Sequence, residues 1–118
     1  MLIVDDEENI RSVAEATFAK FGYRTMTAID GTDALAIYSQ HPDTSVVLTD
    51  MAMPHMDGAA LTRALKKMNP AVKVVAMSGL MSDAQTAELK DLNVNGYLSK
   101  PFTAENLLTT LASVLKGR

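Results

Sequence analysis

Five polar side chains that could take part in chemistry stand directly after short apolar runs of the chain. They are the carboxylates Asp5, Asp6 and Asp50, the hydroxyl Ser78 and the amine Lys100. Carboxylates can bind a hard divalent cation or act as nucleophiles, and an ammonium or hydroxyl group can bind an anion. The chain contains no cysteine, which excludes disulfides, thiolate metal sites and a cysteine nucleophile.

The run of apolar and β-branched residues before Asp50 predicts how that side chain is placed. It is followed at once by a loop bounded by Pro54 and Gly58. An apolar run of this length between turn signals is typical of a strand buried on both faces, as in a parallel sheet. Ligand chemistry in open α/β sheets gathers at the carboxyl ends of the strands. Asp50 is therefore expected where a buried strand leaves the sheet.

Apolar runs alternate with helical patterns five times along the chain. The predicted strands are residues 2–4, 23–29 (an edge strand), 45–49, 72–77 and 97–99. A repeated βα unit implies an α/β fold with a parallel sheet, right-handed crossovers and helices on both faces. The first and third strands should be neighbours, which would bring Asp5, Asp6 and Asp50 to one edge of the sheet.

The helical patterns supply predicted core faces and caps. The residues predicted to face inward are Ile10, Val13, Ala14, Thr17, Phe18 and Phe21 in the first helix, Leu61, Ala64, Leu65 and Met68 in the third, and Leu107, Leu108, Leu111, Val114 and Leu115 in the fifth. Asp57 and Thr103 are predicted N-caps, and Gly22 should end the first helix. A capping box at residues 82–85 predicts the start of a fourth helix. That helix has few apolar anchors and should be the easiest to shift.

Three carboxylates crowded at one edge raise the pKa of at least one of them unless a cation is bound. Oxygen ligands completed by water are typical of Mg²⁺, whereas zinc prefers histidine or cysteine. Mg²⁺ held in this way usually serves a phosphoryl group, which a carboxylate can accept and a lysine or hydroxyl can bind. Ordinary structural roles remain open at this point: Asp6 as a helix cap, Asp50 and Ser78 as turn residues, and Lys100 as a solvated lysine.

Length and composition limit the class of protein. With 118 residues, 47% of them hydrophobic, the chain suits one domain over residues 1–118 with a single core. A net charge of −3 without a basic block argues against direct nucleic-acid binding. No apolar segment approaches the roughly 20 residues of a membrane span. The opening Met-Leu-Ile-Val is followed by four acidic residues and is not expected to act as a signal peptide. A cytoplasmic protein is expected.

Four motifs in this order and spacing resemble the receiver domains of response regulators in two-component signalling. They are Val4-Asp5-Asp6-Glu7, the block from Asp50 to Gly58, Met77-Ser78-Gly79 and Lys100-Pro101-Phe102. The resemblance runs from end to end of the chain. It implies a doubly wound, flavodoxin-like three-layer sandwich with strand order 2-1-3-4-5.

The resemblance also implies a role for each site residue. Asp50 would be the phosphoryl acceptor. Mg²⁺ would be bound by Asp6 directly, by Asp5 through water, by Asp50 and by the backbone carbonyl of Ala52. Lys100 would pair with the phosphoryl group, and its bond to Pro101 would be cis.

A switch and a set of partners follow from the same resemblance. Ser78 and Tyr97 would couple the phosphoryl group to the face made by the fourth helix, the fifth strand and the fifth helix. The donor would be a histidine kinase or a histidine phosphotransfer protein, and the output an effector or another domain of the same chain. The protein would catalyse only its own phosphorylation and dephosphorylation. A free-standing protein, a piece of a longer one such as a hybrid histidine kinase, and a dimer formed on phosphorylation are all left open.

Three other functions compete with this interpretation. Phosphohydrolases with an aspartate nucleophile have an acidic residue two positions after the nucleophile. In this chain that position, counted from Asp50, is Ala52, which argues against a phosphohydrolase. A nucleotide-binding domain would require a glycine-rich first loop, whereas residues 5–8 are acidic and would repel phosphate. A degenerate receiver that only binds proteins would not need the intact set of Asp6, Asp50 and Lys100.

Overall fold

Strands and helices alternate throughout the chain in a computed structural model that describes residues 1–53, 56–79 and 83–117. The elements are β1 (Leu2–Val4), α1 (Glu8–Lys20), β2 (Met26–Ala28), α2 (Gly31–Gln40), β3 (Val46–Asp50), α3 (Gly58–Met68), β4 (Lys73–Ser78), α4 (Asp83–Asp91), β5 (Gly96–Ser99) and α5 (Ala104–Gly117). Among the helices in these ranges, none combines the length and the apolarity needed to cross a bilayer.

The strands form one parallel sheet in the order β2-β1-β3-β4-β5. This confirms the predicted fold class and the edge position of β2. In the register of the sheet, Val4 pairs with Thr49 and Asp50 pairs with Met77. The residues that follow β1 and those that end β3 and β4 therefore meet at one edge of the sheet.

The strand β2 is shorter than predicted because the chain before it closes the end of α1. The N–H of Tyr23 donates to the carbonyl of Phe18 at 3.0 Å, and the two rings pack edge to face with centroids 5.9 Å apart. Gly22 has the left-handed φ of 84° that this turn requires. Tyr23 therefore belongs to the helix terminus, and the strand begins only at Met26.

The sheet is covered on both faces, as predicted, but the buried residues form two cores, one on each face, instead of the single core expected from the sequence. One core joins alternate residues of the central strands to α2 and α3, and includes Leu2, Val4, Val47, Val74, Tyr38, Leu61 and Leu65. The other joins the remaining strand residues to α1 and α5, and includes Ile3, Leu48, Val75, Met77, Phe18, Leu107 and Leu111. Because β3 is buried along its whole length, the position of Asp50 at its end is fixed by packing on both sides.

The buried faces of the helices are narrower than the sequence predicted. Val13 is 53% exposed and Phe21 58%, and Met68 and Leu115 are also exposed. The helix α1 buries Ala14 and Phe18, which are four residues apart and share one face. Val13 lies about 100° around the helix from Ala14, and Phe21 lies beyond the last helical residue. Both side chains consequently point away from the sheet.

The predicted caps are confirmed where the structure describes them. The carboxylate of Asp57 accepts from the N–H of Ala60 at 2.9 Å, and the hydroxyl of Thr103 accepts from the N–H of Asn106 at 3.0 Å. Ser82, the first residue of the predicted capping box, lies outside the described residues. Of the α4 side chains that are described, only Leu89 is buried, which agrees with the expectation that α4 is weakly anchored.

Candidate functional site

Three carboxylates converge at the carboxyl edge of the sheet. One oxygen from each of Asp5, Asp6 and Asp50 lies within 4.8 Å of the others. Asp5 is fully buried and Asp50 is 5% exposed, whereas Asp6 is exposed to solvent. The sequence predicted this convergence, and the pairing of β1 with β3 produces it.

Lys100 reaches into this acidic cluster from the end of β5. Its backbone N–H donates to the carbonyl of Ser78 at 2.8 Å, which continues the pairing of β5 with β4. Its Nζ lies 2.7 Å from Oδ2 of Asp5 and 3.5 Å from Oδ1 of Asp50. The Lys100–Pro101 peptide bond is cis, as the resemblance implied. Lys100 is therefore a largely buried ion-pair partner and not a solvated surface lysine.

Each polar group of Asp5 has a hydrogen-bond partner. Its N–H donates to the carbonyl of Ala28 at 3.2 Å, and its Oδ1 accepts from the N–H of Glu7 at 2.9 Å. Its Oδ2 accepts from Lys100, and its carbonyl accepts from Nη1 of Arg11 at 2.7 Å. These hydrogen bonds connect Asp5 to β2, to the start of α1 and to Lys100 after β5, and they hold it in place.

The helix α1 is not capped by Asp6, which was one ordinary interpretation of that residue. The N-cap is Glu7, whose side chain makes no capping hydrogen bond. A carboxylate does satisfy the free N–H of Glu7, but it belongs to Asp5. Glu7 and Arg11 were not predicted from the sequence to be site residues, although Nζ of Lys100 lies 3.7 Å from Oε1 of Glu7.

Burial raises the pKa of Asp50, and the nearby charge of Asp5 raises it further. The ammonium group of Lys100 and the N–H of Ala52, 3.3 Å from Oδ1 of Asp50, act in the opposite direction. Burial also opposes the charge of Lys100, but its hydrogen bond to Asp5 and the surrounding carboxylates raise its pKa overall. The ionised form of Asp50 is thus destabilised in the folded protein, because one ammonium group does not offset burial and the neighbouring carboxylate. A bound cation at this site would stabilise the ionised form.

Because the ionised Asp50 is destabilised, we expect Asp50→Asn to stabilise the fold at pH 7, within the range of about 0.5–2 kcal/mol that is common for single stabilising substitutions. A raised pKa means that the folded state binds the proton more tightly than the unfolded state. The cost of ionised Asp50 is therefore complete above the raised pKa and disappears as pH falls below the ordinary carboxyl pKa. Urea unfolding from pH 7 to pH 3.5 measures this difference.

The matched control for this prediction is Glu15→Gln, which removes one negative charge from an exposed position on α1. Its stability should stay within about 0.5 kcal/mol of the wild type, as for most surface substitutions. An Asp50→Asn protein that is less stable than the wild type at pH 7 would show that the carboxylate is not destabilised by its surroundings.

The start of α3 packs directly on the backbone that carries Asp50. A Cβ atom at Gly58 would lie 2.5 Å from the carbonyl oxygen of Asp50 and 2.8 Å from Cα of Met51. The N–H of Gly58 donates to the carbonyl of Met51 at 3.2 Å, and Met51 in turn donates to Met77 at 2.9 Å. Only glycine permits this approach. From the sequence, Gly58 was expected only to bound the loop after Asp50 and to end one of the four receiver-like motifs.

Ser78 and Tyr97 lie on neighbouring strands near this edge but are not paired with each other in the register of the sheet. Ser78 ends β4, pairs with Ser99 and is half-buried. Tyr97 pairs with Ala76 and is 43% exposed. The structure thus places Ser78 at the same sheet edge as Asp50, and Tyr97 two residues before Ser99 on the neighbouring strand.

The donor set at this edge fits a hard divalent cation. All three convergent side chains offer carboxylate oxygens, and these are the ligands that Mg²⁺ prefers. Because Asp6 is exposed to solvent, water can reach the site and complete the coordination of a cation. The residues present therefore suit Mg²⁺ and not zinc.

Comparison with known proteins identifies the class that this fold and site define. The chain matches the family model of the response regulator receiver domain over residues 1–112. Protein PilG of Pseudomonas aeruginosa is 38% identical over 92% of this chain and 81% of that protein. The structure of the chemotaxis protein CheY4 of Vibrio cholerae matches with a TM-score of 0.89 at 33% identity, covering 96% of this chain and 95% of that chain.

The chain belongs to the response regulator receiver domain family. Domains of this family serve two-component signalling, interact with histidine kinases and effectors, and generally bind Mg²⁺. The sensor kinase CckA of Brucella abortus is also 33% identical over 98% of this chain, which spans 12% of that protein. This chain thus corresponds to a small part of the first curated relative that it matches.

Proposed function

We propose that this receiver takes a phosphoryl group onto Asp50 from the phosphohistidine of a histidine kinase or a histidine phosphotransfer protein. The observation that carries the proposal is the position of Lys100, whose Nζ lies between Asp5 and Asp50 at 2.7 and 3.5 Å. A buried carboxylate beside a fixed ammonium group can attack phosphorus while the charge on the phosphoryl oxygens is neutralised.

The transfer makes one bond and breaks one. A carboxylate oxygen of Asp50 attacks phosphorus, the P–N bond to the imidazole breaks, and its electron pair stays on the imidazole nitrogen. Lys100 stabilises the negative charge on the phosphoryl oxygens, and the buried walls of β1 and β3 hold Asp50 in a single orientation. Mg²⁺, when bound by Asp5, Asp6, Asp50 and the carbonyl of Ala52, supplies further positive charge at this position.

The proposed switch connects the phosphoryl group to the α4, β5 and α5 face. Phosphorylation adds about −1.5 to −2 of charge and new acceptor oxygens, which the hydroxyl of Ser78 can approach from the end of β4. Tyr97 then moves toward the space that Ser78 leaves. The weak anchoring of α4 through Leu89 makes this face the part that shifts between two packings.

The partners and setting of the domain are proposals of the same kind. We expect a cytoplasmic domain that meets a histidine kinase or phosphotransfer protein and passes the signal to an effector. The relatives include a sensor kinase, which supports a place within a hybrid kinase as one arrangement. A dimer that forms on phosphorylation is a further proposal for how the domain assembles.

Incubation with acetyl phosphate and Mg²⁺ tests the proposal. The wild type should gain one phosphoryl group that hydroxylamine removes, as expected for an acyl phosphate, and Asp50→Asn should gain none. The matched control is Asp43→Asn, which alters an exposed aspartate remote from the edge that carries Asp50, and it should be labelled like the wild type. Intact-protein mass spectrometry measures the added group.

The same experiment separates the competing functions. Continuous turnover of the phosphodonor without stable labelling would indicate a phosphohydrolase. Neither labelling nor turnover would indicate a degenerate receiver that acts only by binding proteins. Labelling that persists in Asp50→Asn would place the acceptor on another residue.

A further inference from the structure

Arg11 donates a side-chain hydrogen bond to the main chain of Asp5. Its Nη1 lies 2.7 Å from the carbonyl oxygen of Asp5, and its own N–H donates to the carbonyl of Glu7 at 3.2 Å. The carbonyl of Asp5 and the N–H of Asp6 belong to the same planar peptide unit. The hydrogen bond from Arg11 therefore fixes the orientation of the peptide from which Asp6 begins.

Among the described residues, no hydrogen bond or ion pair fixes the direction of the Asp6 carboxylate. In the part of the chain that the structure describes, its carboxylate forms no ion pair, in contrast to Asp5 and Asp50. It is exposed, yet one of its oxygens lies within 4.8 Å of oxygens of the other two. A ligand that is not held by contacts of its side chain depends on the backbone for its direction.

We propose that Arg11 is a positioning residue for the cation site, and that it holds Asp6 in a direction suited to a divalent cation by binding the carbonyl of Asp5. This rests on the proposed function, in which Asp6 binds Mg²⁺ directly. The planar guanidinium group is suited to a rigid contact of this kind. Among the described residues Arg11 forms no ion pair with a carboxylate, and the side chain that pairs with Asp5 and Asp50 is Lys100.

Charge and positioning predict opposite effects of removing Arg11. A positive charge beside a cation site repels the cation, so its removal should tighten Mg²⁺ binding if charge alone matters. If Arg11 positions Asp6, its removal should weaken Mg²⁺ binding, because groups that orient metal ligands typically contribute 10- to 100-fold to affinity. The sign of the change therefore distinguishes the two roles.

Isothermal titration calorimetry with Mg²⁺ on the full chain measures that sign. We expect Arg11→Met to bind Mg²⁺ about tenfold more weakly than the wild type, and Arg11→Lys, which keeps a charge and a donor, to lose less. The matched control is Arg24→Met, which removes one positive charge from an exposed position between α1 and β2. It should bind Mg²⁺ like the wild type. Urea unfolding without Mg²⁺ measures the stability of each variant separately.

Arg11→Met that binds Mg²⁺ as tightly as the wild type, or more tightly, overturns the proposal. So does Arg11→Lys that binds more weakly than Arg11→Met. If Arg11→Met does not fold, Arg11→Gln, which is neutral but polar and shorter, is judged by the same criterion. A wild type that does not bind Mg²⁺ at all contradicts the proposed function itself, which is a different result from an unchanged Arg11 variant.

Discussion

Lys100→Met should slow phosphoryl transfer from acetyl phosphate to Asp50 by about 10²- to 10³-fold, the usual loss when one fixed donor to a developing negative charge is removed. In the folded protein Nζ of Lys100 already lies 3.5 Å from Oδ1 of Asp50, so the ammonium group stands beside the proposed acceptor. The measurement is the rate of labelling at saturating Mg²⁺, followed by intact-protein mass spectrometry.

Lys100→Arg is the informative second variant. It keeps the charge but replaces a compact ammonium group with a planar fork, so labelling should fall between those of the wild type and Lys100→Met. The matched control, Lys90→Met, removes an exposed lysine near the end of α4 and should leave the rate unchanged. Labelling of Lys100→Met at the wild-type rate would show that this lysine pairs with Asp5 for structural reasons alone.

Lys100→Met also leaves Asp5 without its ion-pair partner. Asp5 is fully buried, and an uncompensated buried carboxylate destabilises a fold. We therefore expect this variant to be less stable as well as slower. Unfolding in urea, measured beside the labelling rate, separates the loss of chemistry from the loss of folded protein.

Gly58→Ala should destabilise the fold by about 3 kcal/mol, at the upper end of the usual cost of overpacking. The added methyl group would meet the carbonyl oxygen of Asp50 at 2.5 Å, and backbone atoms cannot move aside as the end of a side chain can. Relief requires α3 to move away from β3, which disturbs the acceptor. Urea unfolding measures the loss, and the labelling rate should fall with it.

Gly79→Ala is the matched control for this prediction. Among the residues that the structure describes, a Cβ atom at Gly79 would have nothing within 4 Å, so the same chemical change should alter the free energy of unfolding by no more than about 0.5 kcal/mol. Equal stability of Gly58→Ala and the wild type would mean that α3 can shift without cost to the sheet.

The sequence by itself determined the order of the elements and the edge at which the polar residues meet. Buried strands, amphipathic helices and caps are local patterns, and Asp57 and Thr103 cap their helices as predicted. Because the carboxyl ends of parallel strands share one edge, residues that follow separate runs could be brought together by reasoning alone. The convergence of Asp5, Asp6 and Asp50 was therefore predictable.

Local patterns were less informative wherever exposure depends on a neighbouring element. Val13 and Phe21 fit the apolar pattern of α1 but are more than half exposed. The width of a buried face depends on how closely a helix lies against the sheet, which no periodicity records. The strand β2 was predicted too long for a related reason, since Tyr23 packs back on Phe18.

Only the tertiary structure decided which groups satisfy one another at the site. Lys100 and Asp5 are 95 residues apart in the chain, yet their side chains are 2.7 Å apart. The contact of Arg11 with the carbonyl of Asp5 and the approach of Gly58 to Asp50 likewise depend on the final placement of helices on the sheet. Sequence periodicity specifies which face of an element is buried, but distances between side chains follow only once all the elements are packed together.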